Sequence, residues 1–342
     1  MERDWQESVA RLLDEAGLGG CSVARMEALS GGVSSDIVLL ILDDGRRVCA
    51  KRALPVLKVD SEWRAPVERS HSEAEWLRAA ATIVPGAAPH VLAEDRGGNA
   101  ILMEYLPPED YLPWKGELLA GRYDADAPAR VATTLARIHS GTWGDPETAA
   151  TFATDAMFDA LRLDPYLRAV AHRHPDLSTP ILAVLATTAS TRRALVHGDV
   201  SPKNILIHRG DHRPVFLDAE CAWYGDPAFD AAFCINHLML KALHMEALRD
   251  RLLEGAEVFL ETWVAGIPED ERGPARERVL ALLPCLLIAR VDGKSPVEYL
   301  SPANRERVRS LAPAFIRRPP ASLAHLAAAL RDAAGSRSGA PA

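Results

Sequence analysis

Hydrophobic positions recur with two different periods along this chain. Trp5, Val9, Leu12 and Leu13 fall on one helical face, so Trp5 to Ala16 predicts a helix that Gly17 can end. Strand-like runs follow at Ser22–Leu29, Ile37–Leu42 and Arg46–Ala53, the last two joined by the turn signal Asp44-Gly45. A second helix is expected over Val67 to Ala81, with Trp76 and Leu77 facing inward. Val91–Glu94 and Ala100–Tyr105 then flank Arg96-Gly97-Gly98-Asn99 as another hairpin. The first 105 residues thus predict a five-stranded antiparallel sheet with an inserted helix, and Pro107-Pro108 punctuates the chain after it.

Beyond residue 120 the pattern is helical and breaks once, between Ala194 and Asp230. Two short apolar runs lie in the break, Asn204–His208 and Pro214–Leu217, around Arg209-Gly210-Asp211. Helical spacing resumes from Ala231 to about Ala334, with stops at Gly266 and Gly293. The small polar residues 335–342 read as a disordered tail. The expected fold class is α+β: a β-rich lobe at 1–106 and a larger helical lobe at 107–334.

Composition narrows the function classes. The 342 residues suffice for two domains, and 48% hydrophobic with 25% charged residues is a soluble, globular balance. Thirty-nine basic against 47 acidic side chains leave a net charge of −8, which argues against a nucleic-acid partner. The acidic opening Met1-Glu2-Arg3-Asp4 does not resemble a signal peptide, and the longest apolar run, Val279 to Ala289, is too short to span a bilayer. A cytoplasmic protein without a membrane partner is expected. Five scattered cysteines, none in a Cys-x-x-Cys pair, signal neither a disulfide scaffold nor zinc.

The chemistry concentrates in His197-Gly198-Asp199-Val200-Ser201-Pro202-Lys203-Asn204, followed by Leu217-Asp218-Ala219-Glu220. An aspartate stands five residues before an asparagine, and a second aspartate fourteen after it. A tight hairpin between them would place Asn204 and Asp218 side by side, with Asp199 projecting from the preceding loop. Phosphoryl transfer uses such a set: oxygen ligands for magnesium and a carboxylate beside the attacking hydroxyl. The interval equals that of the protein-kinase His-Arg-Asp-x-x-x-x-Asn loop.

These residues resemble the superfamily of aminoglycoside phosphotransferases, choline kinases and methylthioribose kinases, whose catalytic loop reads His-Gly-Asp. Gly225-Asp226-Pro227-Ala228-Phe229-Asp230 is similar to the segment after that family's metal aspartate, and Asp218-Ala219-Glu220 looks most like choline and methylthioribose kinases. The resemblance spans roughly residues 20 to 240 and implies a protein-kinase-like fold that binds ATP and Mg2+. On it, Asp199 is the catalytic base and Asn204 and Asp218 are metal ligands, while Glu220 touches the metal or supports the ligands from behind. Lys51 is the phosphate-binding lysine, with Glu73 as its ion-pair partner and Glu75 and Glu68 as alternatives. Ser30, Gly31, Gly32, Ser34 and Ser35 form a loop whose amides and hydroxyls would hold phosphate oxygens. Met103, Glu104 and Tyr105 stand where backbone groups would meet adenine.

Lys203 is the cation nearest Asp199 in sequence and a candidate to steady the transferred phosphoryl group; a surface lysine or a pair with Glu220 is the plainer option. His139 reads as a structural helix-end histidine. Gly293-Lys294-Ser295 lacks the earlier glycine of a Walker loop, since Ile288 stands there. No long activation segment fits after Asp218, so a small-molecule hydroxyl acceptor is favoured over a protein. Glu220, Asp226 and Asp230 would suit a cationic acceptor, Asp230 being the better candidate to tie down the catalytic loop. Arg290 and Lys294 argue against a purely acidic pocket, and the loop from Arg290 to Pro296 is expected to border the acceptor. The rival classes are a nucleotide-binding pseudokinase scaffold and a protein kinase.

Overall fold

The computed structural model describes residues 3–29, 34–56 and 66–335. The chain divides into two compact units: Met1–Leu112 with Leu206–Ala222, and Pro113–Ile205 with Trp223–Ala342. Among the described residues no helix is long and apolar enough to cross a membrane.

In the first unit, helix α1 (Arg3–Glu15) precedes strands β1 (Val23–Ala28), β2 (Ser35–Leu42) and β3 (Arg47–Ala53). Helix α2 (Arg69–Ile83) and strands β4 (Val91–Asp95) and β5 (Ala100–Glu104) follow. The five strands form one antiparallel sheet in the order β1-β2-β3-β5-β4. The Asp44-Gly45 turn closes as the sequence predicts, with Gly45 at φ +86° where a side chain would be strained.

Strand alternation gives the sheet two different faces. Val38, Leu40 and Leu42 of β2, Val48 and Ala50 of β3, and Ala100 and Leu102 of β5 pack with Trp5, Val9, Leu12 and Leu13 of α1 in one core. Residues of the other parity, including Cys49 and Lys51, therefore point to the opposite face. Helix α2 serves that face with the stripe Glu73, Trp76, Leu77 and Ala80, all buried at helical spacing. Trp76 meets Phe216 edge to face at 6.1 Å, which anchors the returning segment Leu206–Ala222 within this unit.

The second unit is mostly helical. Helix Ala228–His244 is buried along nearly its whole length and is packed by helices Arg249–Ala265 and Arg272–Asp292. Gly266 and Gly293 follow the ends of these two helices, where the sequence places stops. Two short strands, Ala194–Val196 and Trp223–Gly225, pair antiparallel on either side of the catalytic-loop segment. A π-helical stretch, Asp159–Arg168, contains Pro165 and buries Arg162. The tail expected at 335–342 begins on Gly335, the last residue of helix Leu323–Gly335; residues 336–342 lie outside the described residues.

Candidate active site

In the first unit, Lys51 is buried on the face turned away from α1. Its Nζ lies 2.5 Å from Asp218, 2.7 Å from Glu73 and 3.1 Å from Glu220. Glu73 is thus the α2 glutamate at the ammonium, while Glu75 turns to Arg78 at 2.9 Å. Burial pushes the Lys51 ammonium down, but the carboxylates of Asp218, Glu220 and Glu73 outweigh it and hold its pKa well above the ordinary value. Burial lifts Glu73 to about 7, against the pull of Lys51.

Glu220 is held from several sides. Its Oε1 accepts from Ser35 at 2.5 Å and Ser34 at 2.9 Å, and its Oε2 accepts from Arg69 at 2.9 Å. Burial opposes its charge, yet Lys51 and Arg69 keep its pKa below the ordinary value. Arg69 is fully buried and also donates to the carbonyls of Leu54 at 2.7 Å and Pro66 at 2.8 Å. One arginine therefore ties the end of β3, the start of α2 and the Asp218–Glu220 segment together. Sequence reading missed it, because a single arginine between Glu68 and Ser70 looks like a solvated helix start.

The ligand oxygens of Glu73, Asp218 and Glu220 lie within 4.8 Å of one another. Clustered hard oxygen donors fit a divalent cation such as magnesium. Asp218 adopts φ +67°, a left-handed state that aspartate tolerates better than most side chains and that often marks functional positions. Met103 pairs with Cys49 at the end of β5, and the Glu104 N–H donates to the His90 carbonyl at 2.8 Å. Glu104 is exposed, and Tyr105 lies under the Arg47 guanidinium at 5.2 Å. Ser30, Gly31 and Gly32 lie outside the described residues.

In the second unit, the loop after strand Ala194–Val196 is held by a buried carboxylate. Asp230 accepts the N–H of His197 at 2.7 Å and of Gly198 at 2.8 Å, and lies 3.2 Å from His139 Nε2. Trp263 Nε1 donates to His139 Nδ1 at 3.0 Å, which leaves the ring proton on Nε2, facing Asp230. His139 and Asp230 are both completely buried, so each has a structural task. Gly198 sits at φ +81°, a backbone state glycine enters freely.

Asp199 follows, with its carboxylate 3.0 Å from Arg162 Nη2. Arg162 also donates from Nε to the Gly198 carbonyl, so the π-helical stretch grips both the loop backbone and its carboxylate. The Asn204 amide donates to the Asp199 carbonyl at 3.1 Å, which leaves its oxygen as the group suited to a cation. Lys203 is exposed and makes no ion pair among the described residues.

Asp226 is fully buried against Arg278 Nε at 3.0 Å and accepts the Ala228 N–H at 3.0 Å. It is therefore occupied and not presented to an acceptor. Burial lifts it to about 6, against the guanidinium. The segment expected as a loop from Arg290 begins inside helix Arg272–Asp292, where Asp292 pairs with Arg309 at 2.8 Å and His174 at 3.0 Å; after the helix, Lys294 pairs with Asp164 at 2.7 Å. Arg290 reaches Tyr166 Oη at 3.1 Å and Ser295 Oγ at 2.8 Å.

The antiparallel sheet and the helical unit make a protein-kinase-like fold. A solved Plasmodium vivax ethanolamine kinase shares the fold at a TM-score of 0.50 and 12% identity, covering 91% of this chain and 82% of that one. The model of the phosphotransferase enzyme family (APH) matches residues 25–267, and the chain belongs to that family. Among curated proteins, a methylthioribose kinase of Yersinia enterocolitica is 27% identical over 252 residues, 64% of this chain and 62% of that one. Methylthioribose kinase 1 of Oryza sativa subsp. japonica is 25% identical over 264 residues, 69% of this chain and 61% of that one. The chain thus spans about three fifths of the length of these relatives.

Proposed function

We propose that this chain is a small-molecule kinase that moves the γ-phosphoryl group of Mg-ATP to a hydroxyl of a small acceptor. The observation that carries the reading is the buried lysine among three carboxylates, Lys51 with Glu73, Asp218 and Glu220, in a member of the phosphotransferase family. Among acceptors, an aminoglycoside, an amino alcohol and a sugar such as methylthioribose come into question, and the similarity to methylthioribose kinases favours the sugar.

In this reading Lys51 holds phosphate oxygens, and Glu73 keeps the ammonium fixed. Asp218, Glu220 and Asn204 supply oxygens for magnesium, which when bound neutralises charge on the phosphates. Asp199 orients the acceptor hydroxyl and takes its proton as the new oxygen–phosphorus bond forms and the γ-phosphorus bond to the β-phosphate oxygen breaks, releasing ADP. Arg162 fixes the direction of that carboxylate. Lys203 is free to approach the charge that spreads over the transferred group. Met103, Glu104 and Tyr105 offer backbone groups to adenine, and Ser30, Gly31, Gly32, Ser34 and Ser35 cover the phosphates. Most of the rate then comes from positioning and charge neutralisation.

An ATP-consumption screen over aminoglycosides, choline-like amines and sugars tests this. Magnesium-dependent turnover with one class supports it and assigns the acceptor. Mg-ATP binding without turnover on any class points to a pseudokinase scaffold, and phosphorylation of peptides alone to a protein kinase.

A further inference from the structure

Helix α2 opens with two opposite charges one turn apart on the same side, Arg69 and Glu73. Both are buried, and Arg69 has no exposed surface at all. Glu73 reaches the Lys51 ammonium at 2.7 Å, and Arg69 Nε donates to Glu220 Oε2 at 2.9 Å. One side of one helix therefore holds a lysine and a carboxylate of the same cluster.

The other donors of Arg69 reach the open end of the β2–β3 ladder. Ser35 pairs with Ala53 there, and just beyond them the Leu54 N–H donates to the Ser34 carbonyl at 2.9 Å. Arg69 Nη2 donates to that same Ser34 carbonyl at 2.5 Å and to the Leu54 carbonyl at 2.7 Å, while Nη1 donates to the Pro66 carbonyl at 2.8 Å. The hydroxyls of Ser34 and Ser35 in turn donate to Glu220 Oε1 at 2.9 Å and 2.5 Å. These bonds close a ring that runs from the guanidinium to Glu220, from Glu220 to the Ser34 hydroxyl, and from the Ser34 carbonyl back to the guanidinium. Glu220 cannot turn, and the strand end at Ser34 cannot lift, without breaking a bond to a charged group.

A buried guanidinium is costly unless a carboxylate pairs with it, and Glu220 is that carboxylate. The bond to Oε2 leaves Oε1 as the oxygen on the Lys51 side, where Glu73 and Asp218 also present theirs. Two cations, Lys51 and Arg69, face three carboxylates in this cluster, which keeps a negative excess for a divalent cation.

We propose that Arg69 is a positioning residue of the nucleotide site: it fixes Glu220 in the cation-binding cluster and fastens the Ser34–Ser35 end of the phosphate loop to the same carboxylate. The inference rests on the kinase reading and deepens it. Arg69 itself touches neither phosphate nor metal, because its guanidinium is buried among protein acceptors.

Titration with Mn2+, followed by the paramagnetic resonance of the free ion, tests it on the full chain and on Arg69→Met, Arg69→Lys, Glu220→Gln and the double variant Arg69→Met/Glu220→Gln. The wild type should bind Mn2+, and Arg69→Met at least about tenfold more weakly, the scale of one charge-assisted contact. Arg69→Lys should fall between them, since a single ammonium cannot span Glu220 and the carbonyls as the planar fork does. The double variant should bind Mn2+ no more weakly than Glu220→Gln alone, because Arg69 acts on the metal through that carboxylate. A purely structural arginine would lower stability in both backgrounds and leave the Mn2+ affinity of the folded protein unchanged. Wild-type Mn2+ affinity in a folded Arg69→Met, a further loss in the double variant, or no Mn2+ binding by the wild type overturns the proposal. If Arg69→Met does not fold, Arg69→Lys decides, and wild-type affinity there overturns it equally. Absence of Mg-ATP binding to the wild type sinks the kinase reading, while the Mn2+ titration still decides Arg69. Turnover whose Mg2+ requirement is the same in wild type and Arg69→Met overturns the positioning role and leaves the kinase reading intact.

Discussion

Asp199 and Lys203 stand four residues apart and have opposite surroundings. Asp199 is held at 3.0 Å by Arg162, whereas Lys203 projects to solvent. Asp199→Asn should lower kcat by roughly 10²–10⁴, the range for a lost general base, with Mg-ATP affinity kept. Lys203→Met should lower kcat by roughly ten- to a thousand-fold, as for one charge-stabilising donor, and leave the ATP KM alone. Single-turnover assays on both variants decide, and a Lys203→Met enzyme within about twofold of wild type leaves charge neutralisation to magnesium. Lys51 belongs to a different class of residue, because its contacts are three carboxylates in one buried cluster. Lys51→Ala should raise the ATP KM and lower kcat together, and Asp218→Asn should weaken Mg-ATP binding. Unaltered ATP kinetics in a folded Lys51→Ala remove the lysine from the site. The positions of Lys51 on its strand and of Asp199 in the His-Gly-Asp loop were legible in the sequence, one from strand alternation and the other from motif spacing, while their chemical roles belong to the proposal. Arg69 and Arg162 were not, since each acts through bonds to chain segments far away in sequence, and no local period marks a buried arginine.

At the scale of elements, the His197–Asp199 loop depends on three helices. Helix Ala228–His244 provides Asp230, helix Ala127–Gly141 provides His139, and helix Arg249–Ala265 provides Trp263. Their side chains form one buried chain that ends on the amides of His197 and Gly198. Asp230→Asn exchanges one carboxylate oxygen for an amide that cannot accept from a backbone N–H. The expected loss is about 1–3 kcal/mol of stability, the cost of leaving a buried donor unpaired, together with a fall in kcat larger than any change in the ATP KM. Chemical denaturation and steady-state kinetics on the same preparation check this; unchanged stability would show that the amides find other acceptors. The five strands of the first sheet fall within about two residues of the sequence-based runs, because two-residue alternation and turn residues agree there. Strands Ala194–Val196, Trp223–Gly225 and Tyr111–Pro113 were not legible, since three residues hold too few positions to show a period. The π-helical Asp159–Arg168 was hidden for a related reason: its wider spacing matches neither period, and Pro165 reads as a break.

For the molecule as a whole, the cost of burying Lys241 should be measurable as a pH dependence of stability. Burial, together with Lys115 and Arg290, lowers Lys241 from its ordinary 10.5 to about 7 in the folded chain, while Cys234 and Glu298 pull the other way. The Tyr299 ring faces the ammonium, and Tyr299's own titration is pushed upward by burial. The unfolded chain therefore holds a proton on Lys241 that the folded chain gives up between about pH 7 and 10.5. With more protons on the unfolded state, stability rises with pH across that window and is lost as pH falls towards 7. Asp226 acts in a lower window. Its folded value of about 6 against an ordinary 3.8 makes the folded chain the better proton binder, so its contribution declines as pH rises from about 4 through 6. The two windows do not overlap, which lets one variant isolate the lysine. Lys241→Met should melt above wild type near pH 6.5, because it removes an unpaired buried charge, and the gap in Tm should close as pH approaches 10. Scanning calorimetry of both proteins at half-unit steps measures the gap directly. A gap that stays constant from pH 6.5 to 10 would mean that burial does not lower Lys241 and that its charge carries no pH-dependent cost.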